Sequence, residues 1–300
     1  MAVIPVGAGY RFHSLRDAVA AAMPHDEIVV SGALEEVACI QVRVPLTITG
    51  ADPGSAVLVP GLLRDGKGLL CVHADTVVRN IEFRQARALT GNAAGIWHEG
   101  GSLAVEGCRF IENQNGIMID STPSDAVRVH RCRFVRNGAG CGHTHGIYAS
   151  RIGTLSINEC SFEDTTVGHH VKSRAGVLRV ERSYFAGGAR CTASYAIDAA
   201  NGGVAFIGSN QFIKGRNAMN RVFIAYCSEG RTHSENSIEV SSNIFINHRR
   251  GPVAALMNRT TSVPAILRRN AYERVTFALL GRGKQERQQE VNRAIALGVL

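Results

Sequence analysis

The stretch Gly168-His169-His170-Val171-Lys172-Ser173-Arg174 places two imidazoles, an amine and a guanidinium within a few residues of one another. His143, His145 and Tyr148 stand a short way upstream, so four of the eleven histidines fall between positions 143 and 170. Groups of these types transfer protons and neutralise anions. Lys172 or His170 is suited to act as a base, Tyr148 or a histidine as an acid, and Arg174 as a clamp for a carboxylate. Together they meet the needs of β-elimination in an acidic polysaccharide. That reaction requires the uronate carboxylate to be neutralised, the C5 proton removed and the leaving oxygen protonated.

Residues so far apart in sequence act together only if the chain brings them back to one place at regular intervals. The sequence has such an interval. A small polar residue two places before an aromatic recurs as Cys108-Arg109-Phe110, Cys132-Arg133-Phe134, Cys160-Ser161-Phe162, Ser183-Tyr184-Phe185, Asn210-Gln211-Phe212, Asn243-Ile244-Phe245 and Asn270-Ala271-Tyr272, with Asn80-Ile81-Glu82-Phe83 before them. Short alternating runs and turns, without helical stretches, fill the spaces. A repeat of this kind is a solenoid, in which each coil buries its apolar face only against its neighbours.

Stacking the runs Ile96-Trp97-His98-Glu99, Ile117-Met118-Ile119-Asp120, Ile147-Tyr148-Ala149-Ser150, His169-His170-Val171-Lys172 and Tyr195-Ala196-Ile197-Asp198 gives two outward columns. One holds Glu99, Asp120, Ser150, Lys172 and Asp198, and the other Trp97, Met118, Tyr148, His170 and Ala196. Side chains alternate faces along a strand and neighbouring strands lie about 4.8 Å apart, so Asp120, Tyr148, His170, Lys172 and Asp198 form one patch. His143, His145 and Arg174 then stand at its rim, and His169 points into the core. His143, His145, Asp120, Asp198 and Trp97 are expected to contact substrate.

The remaining chain fits a single domain. Residues 1–50 form a cap and first strands, 51–280 the coils, and 281–300 a terminal helix or tail. Phe12, Leu15, Ala18, Val19 and Ala22 recur at helical spacing behind Ser14, a suitable N-cap, giving an amphipathic helix that covers the open end of the solenoid. The start lacks a basic segment followed by an apolar run, and no stretch reaches the roughly 18 apolar residues of a membrane span. The net charge of +8 favours an anionic partner. An acidic polysaccharide suits it better than nucleic acid, because the arginines are spread over the coils and no groove-reading helix or zinc-finger spacing is present. The eight cysteines contain no CxxC pair. They read mainly as packed free thiols, which mildly favours a reducing, cytoplasmic setting; removal of an export signal would leave the same picture.

The Cys/Ser/Asn column before an aromatic, the glycine-led strands and the helical cap resemble the right-handed parallel β-helix family of pectate-lyase-like proteins, over about residues 12–280. The resemblance implies an asparagine ladder at Asn210, Asn243 and Asn270. It also implies a carbohydrate-active protein, the family including lyases, glycoside hydrolases, epimerases, phage tailspikes and non-catalytic members. Val171-Lys172-Ser173 is similar to the strand carrying the basic lysine of alginate-lyase and chondroitinase-like β-helix lyases. By that likeness Arg174 or Arg179 fills the role of a downstream arginine, and Asp120 or Asp198 that of a calcium ligand.

A glycoside hydrolase would need two carboxyls about 5 to 9.5 Å apart, for which Glu99 and Asp120 are the adjacent pair. Gly142-His143-Thr144-His145-Gly146 resembles the Gly-His-Gly segment of polygalacturonase-like hydrolases without their paired aspartates. The Asp-Pro-His-Asp motif of alginate epimerases is missing. A non-catalytic glycan-binding or structural β-helix is the third reading, and the clustering of His143, His145, His170, Lys172 and Arg174 favours a lyase over it.

Overall fold

A computed structural model describes residues 1–286 apart from 37–38, 53, 55, 61, 64–66 and 141. Among the described residues, three parallel sheets of twelve, ten and ten strands run the length of a solenoid, and each coil contributes one strand to each sheet in turn. Why the chain coils this way is visible in three inward columns. In the first sheet Ile28, Ile48, Val78, Val105, Val129, Ile157, Val180, Ile207, Val240 and Leu267 lie in register and are buried. β-Branched side chains pack well on a pleated surface, and here each meets its like from the coils above and below.

In the second sheet the closing aromatics stack. Phe83, Phe110, Phe134, Phe162, Phe185, Phe212, Phe245 and Tyr272 form one series with centroids 4.6 to 5.6 Å apart. The third column occupies the turn between these two sheets. Arg131, Glu159, Arg182, Ser209, Ser242 and Arg269 have positive φ and turn the chain sharply. The next residue then reaches along the axis. Backbone N–H groups of Cys160, Ser183, Asn210 and Asn243 donate to the side chains of Ser183, Asn210, Asn243 and Asn270 at 2.8 to 3.1 Å. The anticipated asparagine ladder is therefore present, and Cys132 continues it by donating to Cys160 Sγ.

Asn243 Nδ2 also donates to the Ile207 carbonyl, so removing this side chain orphans several buried polar groups. Asn243→Ala should lower the unfolding free energy by about 3 kcal/mol, seen as a reduced denaturant midpoint with an unchanged slope. A midpoint equal to that of the parent would show that the ladder adds no stability.

The N-terminal helix is Leu15–Ala21, capped by Ser14, with Leu15, Ala18 and Val19 buried. Leu15 N–H donates to the buried Glu36 carboxylate, fixing the helix to the first coil. No described helix is long and apolar enough to cross a membrane. Two expectations are corrected. Gly283–Glu286 adds a strand to the first sheet where a helix or tail was expected, residues 287–300 lying outside the described part. Cys108, Cys132, Cys160, Cys191 and Cys227 are buried free thiols, but Cys39 and Cys71 form a disulfide between neighbouring coils, which sequence spacing gave no way to anticipate.

Candidate active site

The third sheet carries the chemistry-bearing column. Strands Ala94–His98, Asn115–Ile119, Ile147–Ala149, Val171–Ser173 and Ile197–Ala199 lie side by side, with Trp97, Met118, Tyr148, Lys172 and Asp198 in register. Asp120, Ser150 and Arg174 follow these strands at matching positions. The last two coils are therefore shifted by two residues from the expected stacking. A shift of two keeps every side chain on its face while changing its neighbours, so alternation alone could not detect it. The effect is to put Lys172 beside Tyr148 and to bring Arg174 from the rim to the centre.

The two histidines are also reversed, for a separate reason: both precede the strand. His170 precedes the strand, just after the positive-φ residues Val167 and Gly168, where alternation no longer holds. It is buried in the core, with Nδ1 2.7 Å from Thr165 Oγ1 and its ring against Phe162 and Phe185. Burial, and then the nearby Lys214, hold its pKa down to about 3. A group so enclosed cannot reach a polymer, so His170 is withdrawn as a base. His169, expected inside, instead stacks between His145 and Tyr195 with Nε2 3.6 Å from Asp198 Oδ2.

Tyr148, His145, His169 and Tyr195 form a continuous ring stack along this edge. Its protonation follows from the backbone. His145 Nδ1 accepts from His169 N–H at 3.0 Å and His169 Nδ1 accepts from Tyr195 N–H at 3.1 Å. Burial and neighbouring positive charge depress the two pKa values to about 2 and about 3, so both rings are neutral and each keeps its single proton on Nε2. They are hydrogen-bond donors, and neither is a base in this arrangement.

Above Lys172 lies a residue the sequence did not flag. Glu229 reaches over from the turn after Val222–Tyr226, with one oxygen 2.5 Å from Lys172 Nζ and the other accepting from Arg174 Nε and Nη2 at 3.0 and 2.7 Å. Burial opposes its charge, but the bonds from Lys172 and Arg174 outweigh that and hold its carboxyl below the usual range. Arg174 Nη1 donates to Tyr148 Oη, and the guanidinium lies over the Tyr148 ring. Asp198, accepting from Ser228 Oγ at 2.6 Å and 3.9 Å from Lys172 Nζ, is pushed up by burial to about 6.

His145, Tyr148, Lys172 and Arg174 open onto a cleft of about 320 Å³, lined also by Trp97, Asp120, His143 and Ser150. Asp198 is close to Lys172 yet buried under the Ser228–Glu229 turn, and Asp120 is exposed at the far side. The two aspartates considered for calcium are thus apart, and the cations beside Asp198 and Glu229 belong to Lys172 and Arg174. Among the described residues no three acidic, histidine or cysteine side chains cluster to hold a metal. This donor set does not suit calcium, which takes about six to eight oxygens. Glu99, the proposed hydrolase partner of Asp120, is tied to Lys67 and lies 3.5 Å from His73. Arg179 stands in the first sheet over Phe206, away from the cleft.

Residues 64–185 match the family model described as the right handed beta helix region. The solved alginate lyase from Paenibacillus sp. str. FPU-7 superposes with a TM-score of 0.64 at 15% identity, covering 96% of this chain and 99% of that one. The chain is a right-handed parallel β-helix. A Geobacillus virus E2 protein, ORF18, shares the β-helix with a TM-score of 0.51 at 10% identity, over 92% of this chain and 57% of its own. Pectin methylesterase PemA from Erwinia chrysanthemi gives 0.47 at 10% identity, over 98% and 94%. No curated protein sequence matches the β-helix chain significantly. At these identities the likeness establishes the fold, and the chemistry has to be argued from the cleft.

Proposed function

We propose that the β-helix is a polysaccharide lyase that cleaves a uronate-containing glycan by β-elimination in the cleft around Lys172. The observation that carries this reading is the seat of the Glu229 carboxylate, forked across Lys172 and Arg174 beside Tyr148. A site that already holds one carboxylate this way is suited to hold another, the uronate of a substrate. Neutralising that carboxylate acidifies C5, which is the first requirement of the reaction.

Tyr148 and Lys172 then divide the proton transfers. Lys172 Nζ is held between the Asp198 and Glu229 carboxylates, where its N–H groups are placed to protonate the leaving O4. Tyr148 Oη accepts a hydrogen bond from Arg174 and, as the phenolate, is placed to take the C5 proton and become the neutral phenol. The C5–H pair forms the C4=C5 double bond as the C4–O4 bond breaks. His145, with its proton on Nε2, supplies a neutral donor beside them. The roles of Lys172 and Tyr148 are thus reversed from those the sequence suggested, because Glu229 was invisible there. The match in fold to an alginate lyase supports a polyuronate as substrate.

The test is ultraviolet absorbance of the conjugated unsaturated uronate during incubation with a panel of acidic polysaccharides, alongside a reducing-end assay. Rising absorbance with one polymer is expected. New reducing ends without absorbance would identify a hydrolase, and binding without either product a non-catalytic glycan binder; each result overturns the lyase.

A further inference from the structure

Five arginines meet in a second cleft, of about 570 Å³, away from the Lys172 column. Arg216 and Arg221 come from the turn before strand Val222–Tyr226, Arg249 and Arg250 with His248 from the turn before Ala254–Asn258, and Arg274 from the turn before Phe277–Leu280. These are successive turns of one edge, joining the second sheet to the third. His143, His145 and His169 stand on the same edge in earlier coils.

Two features set this cluster apart from an ordinary solvated surface. Several arginines on other coils are paired, among them Arg79 with Glu106, Arg131 with Glu159, Arg133 with Glu163 and Arg136 with Glu112, at 2.8 to 3.1 Å. Among the described residues, none of the five has a carboxylate within 4.0 Å, so their mutual repulsion is left uncompensated by the chain itself. The cleft is also anchored from beneath. Asn247, buried, donates to the carbonyls of both Arg249 and Arg274 and accepts from Arg249 N–H, tying two of the turns together. Arg249 Nε donates to the Ala218 carbonyl of the third turn, which sets its guanidinium in the cleft.

We infer that this cleft is a second anion-binding site, taking carboxylate or sulfate groups on an extension of the glycan whose cleavage is proposed above. The guanidinium fork matches both anions. The turns lie two to four coils beyond the Lys172 coil, or about 10 to 19 Å along the axis. A polymer lying along this edge meets both clefts, whereas a single sugar bound at Lys172 does not reach the arginines. Among the described residues no phenylalanine, tyrosine or tryptophan lines the cleft to stack a base, which favours a glycan over single-stranded nucleic acid. The inference rests on the glycan reading but not on turnover.

The test uses the full chain and the triple variant Arg221→Gln, Arg250→Gln, Arg274→Gln, with Arg79→Gln, Arg131→Gln, Arg133→Gln as a control of equal charge change. Fluorescence anisotropy measures binding of a labelled long oligouronate, its sulfated counterpart and a uronate trisaccharide. The site triple should weaken the long ligand about tenfold at low salt with a shallower further loss as salt is added, and leave the trisaccharide unchanged. The sulfated arm tells which anion the cleft prefers. Equal weakening by the control, or no weakening of either long ligand, overturns the site. Single-stranded DNA of similar length bound as tightly, with the same loss in the site triple, overturns the glycan assignment. Arginine-dependent binding without any elimination product would uphold this site while sinking the lyase. Elimination that is indifferent to the triple variant, on long polymer and trisaccharide alike, would do the reverse.

Discussion

Lys172→Met should lower turnover of the cleaved polymer by about a hundredfold to ten-thousandfold, the usual contribution of a positioned proton donor. The fold should survive, because Lys172 lies on the outer face of its strand while the inward neighbours Val171 and Ser173 carry the packing. Methionine keeps the length of the stem and removes the charge. Tyr148→Phe is the matching variant. It retains the ring that stacks on His145 and deletes the oxygen bonded to Arg174, so kcat should fall by a similar factor while KM changes little. Arg174→Gln differs in kind: it weakens the grip on the carboxylate and should raise KM as well as lower kcat. Elimination rates, measured with circular dichroism of each variant, check all three. Parental rates in both Lys172→Met and Tyr148→Phe, on a polymer the parent cleaves, would put the chemistry elsewhere. His170→Asn should leave turnover nearly unchanged, since His170 lies in the core behind the strand.

Much of the frame was legible because a solenoid repeats its reasons. The closing aromatics and the small residues before them recur once per coil, and each was visible as a spacing in the chain. What one residue's position left ambiguous, its counterparts in the other coils resolved. The register at Lys172 failed for a related cause. A strand's alternation has period two, so sliding by two residues satisfies it equally, and only backbone pairing separates Tyr148–Lys172 from Tyr148–His170. His170 was misplaced because alternation was carried into a turn, where positive φ at Val167 and Gly168 had already rotated the chain. Glu229 could not be read at all. It enters from a turn two coils further on and obeys no column. The same applies to the arginine cleft, whose members are spread along the sequence and gathered by successive turns.

Mild acid should unfold this protein steeply, and the cause is the histidine group beneath the cleft. His145, His169 and His170 are held neutral by burial, with pKa values of about 2, about 3 and about 3, against 6.5 for the exposed side chain. As pH falls below 6.5 the unfolded chain takes up three protons that the folded chain refuses. Stability is therefore present above that pH and drains away below it, at about 1.4 kcal/mol per pH unit for each histidine. Asp198 acts in the opposite sense. Its folded value of about 6 exceeds its ordinary 3.8, so the folded state gains a proton first and recovers one of the three. Lys214, which faces His170, is held down to about 7 and is charged in both states over most of this window, so it adds little slope. From these groups the net loss between about pH 6 and 4 is two protons, or about 3 kcal/mol per pH unit, to which His98, also lowered by burial, adds and which Glu36, raised by burial, opposes. Denaturant midpoints across that range measure it. His170→Asn should reduce the slope by about one proton while leaving the midpoint at pH 8 much less affected. A midpoint that stays level from pH 7 to 4 would mean that these rings are charged in the folded state, and the hydrogen bonds that fix their protons on Nε2 would have to be reassigned.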